Sequence, residues 1–312
     1  MSISIVTGVA GFIGSNLAER LLHLGHRVIG IDNLAYGMRD QIPAGVEFHQ
    51  IDILDKALVD VFEPGCNVFH MAAKNSISDC QADPLDTALI NVVGSVNVFE
   101  SARRVKAAKV VYAESSAVYE GSDLLPTPES ELKPQSFYAS SKAAEMYFAD
   151  AFQRYGGPPM TALRYFGVYG PRQDYRRTIP PVMSAFIMKL LRGERPTIYG
   201  TGEKRRDFIY VDDVNDFHVL ALTEPKTNGR VFNLAYGHAY SVNEIYTRIA
   251  TILKSELTPV YVPDQQAEAQ TTSGDITAAR SVGWSPKVDL DEGLRRSVDY
   301  IKEYVLEAKA NS

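Results

Sequence analysis

The chain has 312 residues, 45% of them apolar and 22% charged, with a formal net charge of −6. That length holds one large domain or two ordinary ones with a full core, and an acidic balance without a long basic block argues against nucleic acid as the main partner. The two cysteines, Cys66 and Cys80, form neither a metal-ligand pattern nor a disulfide framework, and His218 and His238 lack partners at ligand spacing; no metal site and a reducing compartment are expected. No stretch reaches the roughly 18 apolar residues of a membrane span. The first apolar run begins at Ile3, which leaves no room for a signal peptide, so a cytoplasmic protein with no membrane partner is expected.

Along the chain, "SISIVTG" predicts a strand and "FIGSNLAERLLHLGH" an amphipathic helix ending near Gly25. "RVIGID", "VEFHQIDI", "NVFHMAA" and "AKVVYAESS" predict further strands, with helical stretches between them. Strands alternating with helices imply βαβ units and a parallel sheet, and continuous Val/Ile runs imply helices on both faces. The expected class is therefore α/β, a doubly wound parallel sheet. After "LRYFGVYGPRQ" (163–173) prolines and tyrosines become frequent and the alternation loosens. A first domain over 1–170 and a smaller mixed α/β lobe over 171–312 are expected. A strand and helix in "RDFIYVDDVNDFHVLALT", within 207–235, would pack back on the first domain. The tail "LDEGLRRSVDYIKEYVLEAKA" predicts a helix with i, i+4 charge pairs.

"VTGVAGFIG" places Gly8, Gly11 and Gly14 between the first strand and its helix. Glycines there let the backbone turn tightly and approach a pyrophosphate, to which the helix N-terminus offers N–H groups and a positive dipole end. A ligand-free glycine turn is the plain alternative. Asp32 ends the second strand, where a carboxylate can accept hydrogen bonds from both hydroxyls of an adenosine ribose and would repel a 2′-phosphate. Asn33 follows it, not an arginine, which favours NAD over NADP. Asp52 and Ile53, at the end of the third predicted strand, are placed beside the adenine.

"SSAVYEG" (115–121) ends the strand before the helix that carries "YASSK" (138–142). Tyr138 and Lys142, four apart, share one helix face. Such a pair arises by chance about once in a chain of this composition, so position rather than spacing carries the inference: ligands of doubly wound sheets sit at the carboxyl ends of the strands. A tyrosine, ordinarily with a pKa of about 10, becomes a usable base when an ammonium and a nicotinamide cation lie nearby. Tyr138 is then the acid–base group, Ser115 the relay or the support of the substrate oxygen, and Lys142 the group that acidifies Tyr138 and binds the nicotinamide ribose. Structural packing of Tyr138 and a solvated Lys142 form the alternative.

These segments, with "DNL", "HMAA", "ESSAVY", "YGTGEKRRDFIYVDDV" and "GWSPKVDLDEGL", run through nearly the whole chain. They resemble the extended short-chain dehydrogenase/reductase family, in particular its bacterial nucleotide-sugar 4-epimerases. The resemblance implies a Rossmann lobe holding NAD and a smaller lobe holding a nucleoside-diphosphate sugar. It assigns Gly8, Gly11, Phe12, Ile13, Gly14, Asp32, Asn33, Asp52, Ile53, Ala72, Asn91, Tyr138, Lys142 and Tyr165 to the cofactor. Catalysis falls to Ser115, Tyr138 and Lys142, and the substrate to Ser115, Ser116, Tyr138, Gly167, Ile179, Tyr199, Arg206, Glu268 and Thr272. Arg206 would pair with the diphosphate, for which a guanidinium is well shaped.

In related dehydratases and decarboxylases an acidic residue follows the catalytic hydroxyl; here Ser116 and Ala117 stand there. That leaves reversible oxidation at C4 through a transient 4-keto sugar, hence an NAD-dependent 4-epimerase of a UDP-hexose. A reductase of a 4-keto nucleotide sugar and a non-catalytic dinucleotide sensor are the rivals. Gly167 and Gln265 replace side chains that hold the diphosphate in the family, with Arg176, Arg177 or Arg205 as possible substitutes, and Glu120 replaces a glycine. Thr272, small at a position that controls pocket width, also admits a 2-acetamido sugar. His70 is read as structural, Lys74 as a solvated loop residue with a phosphate contact as the alternative, and Cys80 as packing. The resemblance further implies a homodimer through helices near 85–105 and 138–155.

Overall fold

The computed structural model describes residues 2–173, 180–264 and 269–307. The chain begins with β1 (Ile3–Thr7), α1 (Phe12–His23), β2 (Arg27–Asp32), β3 (Glu47–Gln50), β4 (Asn67–His70), α2 (Ile77–Ala82), α3 (Pro84–Ala88) and α4 (Ser95–Arg104). It continues through β5 (Lys109–Ser115), α5 (Phe137–Arg154), β6 (Met160–Tyr165), β7 (Gly167–Tyr169), α6 (Val182–Leu191), β8 (Thr197–Tyr199), β9 (Arg205–Tyr210) and α7 (Val211–Thr223). The last elements are β10 (Arg230–Leu234), β11 (Ala239–Ser241), α8 (Val242–Leu253), β12 (Val260–Val262), α9 (Thr277–Ser281) and α10 (Leu290–Tyr300).

Seven parallel strands form the main sheet in the order β10-β6-β5-β4-β1-β2-β3. The strand order reverses beside β1, so a crevice opens between the carboxyl ends of β1 and β4. The central strands are apolar because helices cover both faces: Ile5, Val6, Val68, Phe69, Val110 and Val111 are buried. β3 departs from that expectation. It is the edge strand, its ends Glu47 and Gln50 are exposed, and it stops at Gln50 rather than at Ile53. The chain turns there because Asp52 Oδ1 accepts from the Leu54 amide at 2.8 Å.

α1 follows from Leu17, Ala18 and Leu21, spaced to bury one face. That face packs in one cluster with Val214, Phe217 and Ala221 of α7. Burying each leucine contributes about 1.5–3 kcal/mol. The helix stops at His23, and Gly25 reverses the chain at φ +79°. The segment 207–235 thus contributes α7 against α1 and β10 against β6. A three-stranded sheet β11-β9-β7 and the pair β12-β8 stand beside the main sheet. There α6, α8 and α10 bury Phe186, Ile187, Ile245, Ile249, Leu294 and Val298 together. The predicted tail helix is α10, continued by a wider turn over Ile301–Glu307.

Candidate functional site

A cavity of about 1160 Å³ runs along the carboxyl edge of the sheet. Single small-molecule sites usually measure about 300–1,000 Å³, so this one has room for two ligands side by side. One end is floored by Gly8, Gly11, Phe12, Ile13 and Gly14. Gly8 has φ +71°, and a Cβ there would lie 2.8 Å from the Ala72 amide nitrogen, so only glycine lets β1 turn this close to the chain leaving β4. No side chain caps α1, and its first turn holds no acidic residue. Its opening amides therefore face the cavity as an anion site. Asp32 stands across from them, its Oδ2 accepting from the Ala10 amide (3.0 Å) and its Oδ1 from the Leu34 amide (2.8 Å). Burial raises its pKa from the ordinary carboxylate value against those two bonds. Asn33 donates to Asp52 Oδ2 at 2.7 Å, closing the same end together with Ile53. Ala72 and Tyr165 also line the cavity, the Tyr165 hydroxyl bonded to His218 Nε2 at 2.7 Å.

The middle of the cavity holds the end of β5 and the start of α5. Ser115 is the last residue of β5, and its Oγ accepts from the Ala117 amide at 3.2 Å. It also hydrogen-bonds Tyr138, whose ring lines the cavity. α5 presents Tyr138 there because Ser136 caps its N-terminus, accepting from the Ala139 amide at 3.1 Å. Glu120 accepts in turn from the amides of Gln135 (3.1 Å) and Ser136 (2.7 Å) and from the Ser136 hydroxyl (2.9 Å).

Lys142 lies differently from the sequence expectation. It is buried and outside the cavity lining, and its Nζ donates to the Ala113 carbonyl and to Glu145 Oε2, both at 2.8 Å. The direction at Tyr138 differs too. Burial raises its pKa, while the Lys142 charge and the Ser115 hydrogen bond pull it down without offsetting the burial, and Glu145 pushes it up further. The lysine alone does not acidify this phenol. Asn91 is also one layer back, fully buried and outside the lining. Its side chain brackets the Lys74 peptide, accepting from the amide (2.8 Å) and donating to the carbonyl (2.9 Å). Lys74 is not solvated: its Nζ pairs with Asp86 at 2.8 Å. His70 bridges Thr7 (2.8 Å) and Ser95 (2.9 Å) within the core, and Cys66 and Cys80 are buried and free.

At the far end Ser116, Gly167, Arg206 and Thr272 line the cavity. Gly167 has a steric reason: a Cβ there would lie 2.7 Å from the Phe208 ring and 3.0 Å from the Asp207 carbonyl oxygen. Arg205 turns away, its guanidinium on the Ala239 carbonyl and Glu244. Tyr199 ends β8 with 44% of its surface exposed and does not line the cavity. Ile179 and Glu268, with Arg176, Arg177 and Gln265, lie outside the described residues. The sequence reading missed Ser76, Ser78, Thr127, Gln135 and Gln173, all of which line the cavity. Ser76 and Ser78 follow the carboxyl end of β4, a position the ligand rule for parallel sheets marks. The others sit in loops without periodicity.

The residues at the first end suit a dinucleotide: side-chain-free amides for a pyrophosphate opposite a ribose-binding carboxylate. Residues 4–235 match the model of the NAD dependent epimerase/dehydratase family. A UDP-glucose 4-epimerase from Mycolicibacterium smegmatis is 35% identical over 310 residues, covering 96% of this chain and 98% of that protein. The solved UDP-glucose 4-epimerase of Thermotoga maritima, with UDP-glucose, superposes with a TM-score of 0.92 at 33% identity, covering 97% and 99% of the two chains. A UDP-N-acetylglucosamine 4-epimerase from Methanobrevibacter ruminantium, in complex with UDP-N-acetylmuramic acid, gives the same TM-score at 31% identity, covering 96% and 98%. Cavity, glycine turn, carboxylate and these likenesses agree: the chain belongs to the NAD-dependent epimerase/dehydratase family, and NAD is its cofactor.

Proposed function

We propose that the protein is a 4-epimerase of a UDP-linked hexose. The observation that carries this reading is one continuous cavity joining the glycine turn and Asp32 to Ser115 and Tyr138, and these to Arg206 and Thr272. Bound NAD supplies the hydride acceptor and donor. Tyr138 takes the proton of the sugar 4-hydroxyl and later returns it, and Ser115 holds the same oxygen. Arg206 holds the diphosphate at the far end, leaving the 4-keto sugar free to turn its other face before reduction. Lys142, behind the wall, acts on Tyr138 through its charge.

Elimination or decarboxylation would need an acid beside Ser115. No acid stands at Ser116 or Ala117; of the glutamates Glu114 and Glu120 in the cavity wall, Glu114 holds Arg164 through Oε2 at 2.6 Å and Glu120 accepts from the start of α5. Thr272 is a small side chain in the cavity wall, which suits a 2-acetamido substituent as well as a plain hydroxyl. The reading includes a homodimer through α3, α4 and α5.

The test is incubation of the purified protein with a panel of UDP-, dTDP- and GDP-hexoses and hexosamines without added cofactor, the C4 configuration being read by proton NMR. Interconversion of a UDP-sugar pair is expected. Conversion only on addition of stoichiometric reduced cofactor would make the protein a reductase, and conversion of nothing in the panel would end the epimerase reading.

A further inference from the structure

The Lys142 ammonium has a partner that the Tyr–Lys spacing does not announce. Glu145, one turn further along α5, is fully buried, and its Oε2 holds Lys142 Nζ at 2.8 Å. Its Oε1 has no hydrogen-bond partner and lies 3.6 Å from His70 Nε2. An uncompensated carboxylate oxygen in a sealed core is costly unless the acid carries a proton.

The protons around it follow by elimination. Ser95 Oγ donates its single proton to the Asn91 carbonyl at 2.7 Å, so its 2.9 Å contact with His70 Nε2 places a proton on that nitrogen. Thr7 Oγ1 then donates to His70 Nδ1 at 2.8 Å while accepting from the Met71 and Ala72 amides. His70 is thus neutral, in keeping with burial pushing its pKa down to about 3. The groups acting on Glu145 from the packed elements are Lys142 on α5, this neutral His70 on β4, Ser95 on α4 and the Glu114 carboxylate on β5. Lys142 is the positive charge among them. Glu145 bears in turn on the phenols of Tyr138, Tyr112 and Tyr165.

We propose that Glu145 is a positioning residue for the Tyr138–Lys142 pair: it holds the ammonium on the inner side of α5 and sets, by its own proton, how much of that charge reaches the Tyr138 hydroxyl. As a carboxylate it cancels much of the lysine's field at the phenol. As a neutral acid it leaves that field intact. Burial lifts Glu145 to about 7 against the pull of Lys142, so the exchange between the two forms falls near neutral pH. Once Glu145 is a carboxylate it opposes the ionisation of Tyr138, and as a neutral acid it does not, so its charge sets where the Tyr138 midpoint lies. A residue that takes and returns one proton in every turnover gains from having both forms within reach. The inference rests on the reading of Tyr138 as the acid–base group, but its measurement needs no sugar.

The experiment follows tyrosinate absorbance against pH in the NAD-loaded protein, as the difference between wild type and Tyr138→Phe, and again in a Glu145→Gln background. Glutamine keeps the shape and the hydrogen bond to Lys142 without the negative charge. The Tyr138 midpoint should fall by about one pH unit in Glu145→Gln, the scale expected for removal of a nearby charge. A merely structural Glu145 would not lower a tyrosine's midpoint, so an unchanged or raised midpoint would overturn the proposal. If Glu145→Gln does not fold, Glu145→Ala decides: a lowered Tyr138 midpoint supports the coupling, and an unchanged or raised one rejects it. Failure of the sugar panel would remove the proposed substrate and leave this readout standing.

Discussion

Burial and charge pull the Tyr138 phenol in opposite directions, and in the protein without ligand burial wins. On the proposed mechanism the phenol therefore needs more than the lysine, and the positive nicotinamide ring of NAD would supply the further charge. Tyr138→Phe keeps the ring and removes the proton carrier. Turnover should fall by about 10²–10⁴ while NAD still binds, measured as single-turnover epimerisation beside cofactor retention on gel filtration; near-normal turnover would remove Tyr138 from the chemistry. Asp32, Ser115 and Tyr138 were legible as residues of the cavity wall because each sits where a strand meets the carboxyl edge or on the helix that follows. The directions of Lys142 and Lys74 were not legible. Each long side chain follows a carboxylate partner, Glu145 or Asp86, which only packing brings into place.

At the scale of elements, α5 is the part on which the site turns. Ser136 caps it, and Glu120, from the turn after β5, closes on the Gln135 and Ser136 amides and the Ser136 hydroxyl. A carboxylate at this point satisfies orphan amides and complements the positive end of the helix. Glu120→Ala should destabilise the protein by about 1 kcal/mol, typical for loss of a cap. It should also lower kcat more than it weakens NAD binding, because Tyr138 lies two residues inside the helix while the dinucleotide end is held by α1. Calorimetric melting and a kcat/KM comparison check this, and an unchanged melting temperature would refute it. The "SSAVYEG" segment made Glu120 visible only as a residue out of pattern; the amides that donate to it come from residues fifteen and sixteen positions on.

For the molecule as a whole, the reversal of strand order beside β1 places the glycine turn, Asp32, Ser115 and Tyr138 along one edge. On the outer face of α3, α5 and the turn between α3 and α4, Leu85, Val93, Tyr147 and Phe148 are 72%, 50%, 61% and 42% exposed. Apolar side chains gathered on neighbouring helices in this way suit a second copy of the chain. Light scattering should give the mass of two chains, and Leu85→Glu with Tyr147→Glu should halve it without unfolding the protein; a wild-type monomer would dismiss this face as the interface. By itself, the sequence determined the parallel α/β fold and the dinucleotide end, and it singled out Ser115 and Tyr138, which line one cavity. Those depend on local rules: hydrophobic period, glycine at a tight turn, and side chains at strand ends. Only the tertiary structure decided the pairing of Lys142 with Glu145, the removal of Asn91 and Tyr199 from the cavity wall, and the glycine required at 167 beneath Phe208. Each of these depends on which distant segments share a volume and on how a buried charge finds its partner, and no spacing along the chain encodes that.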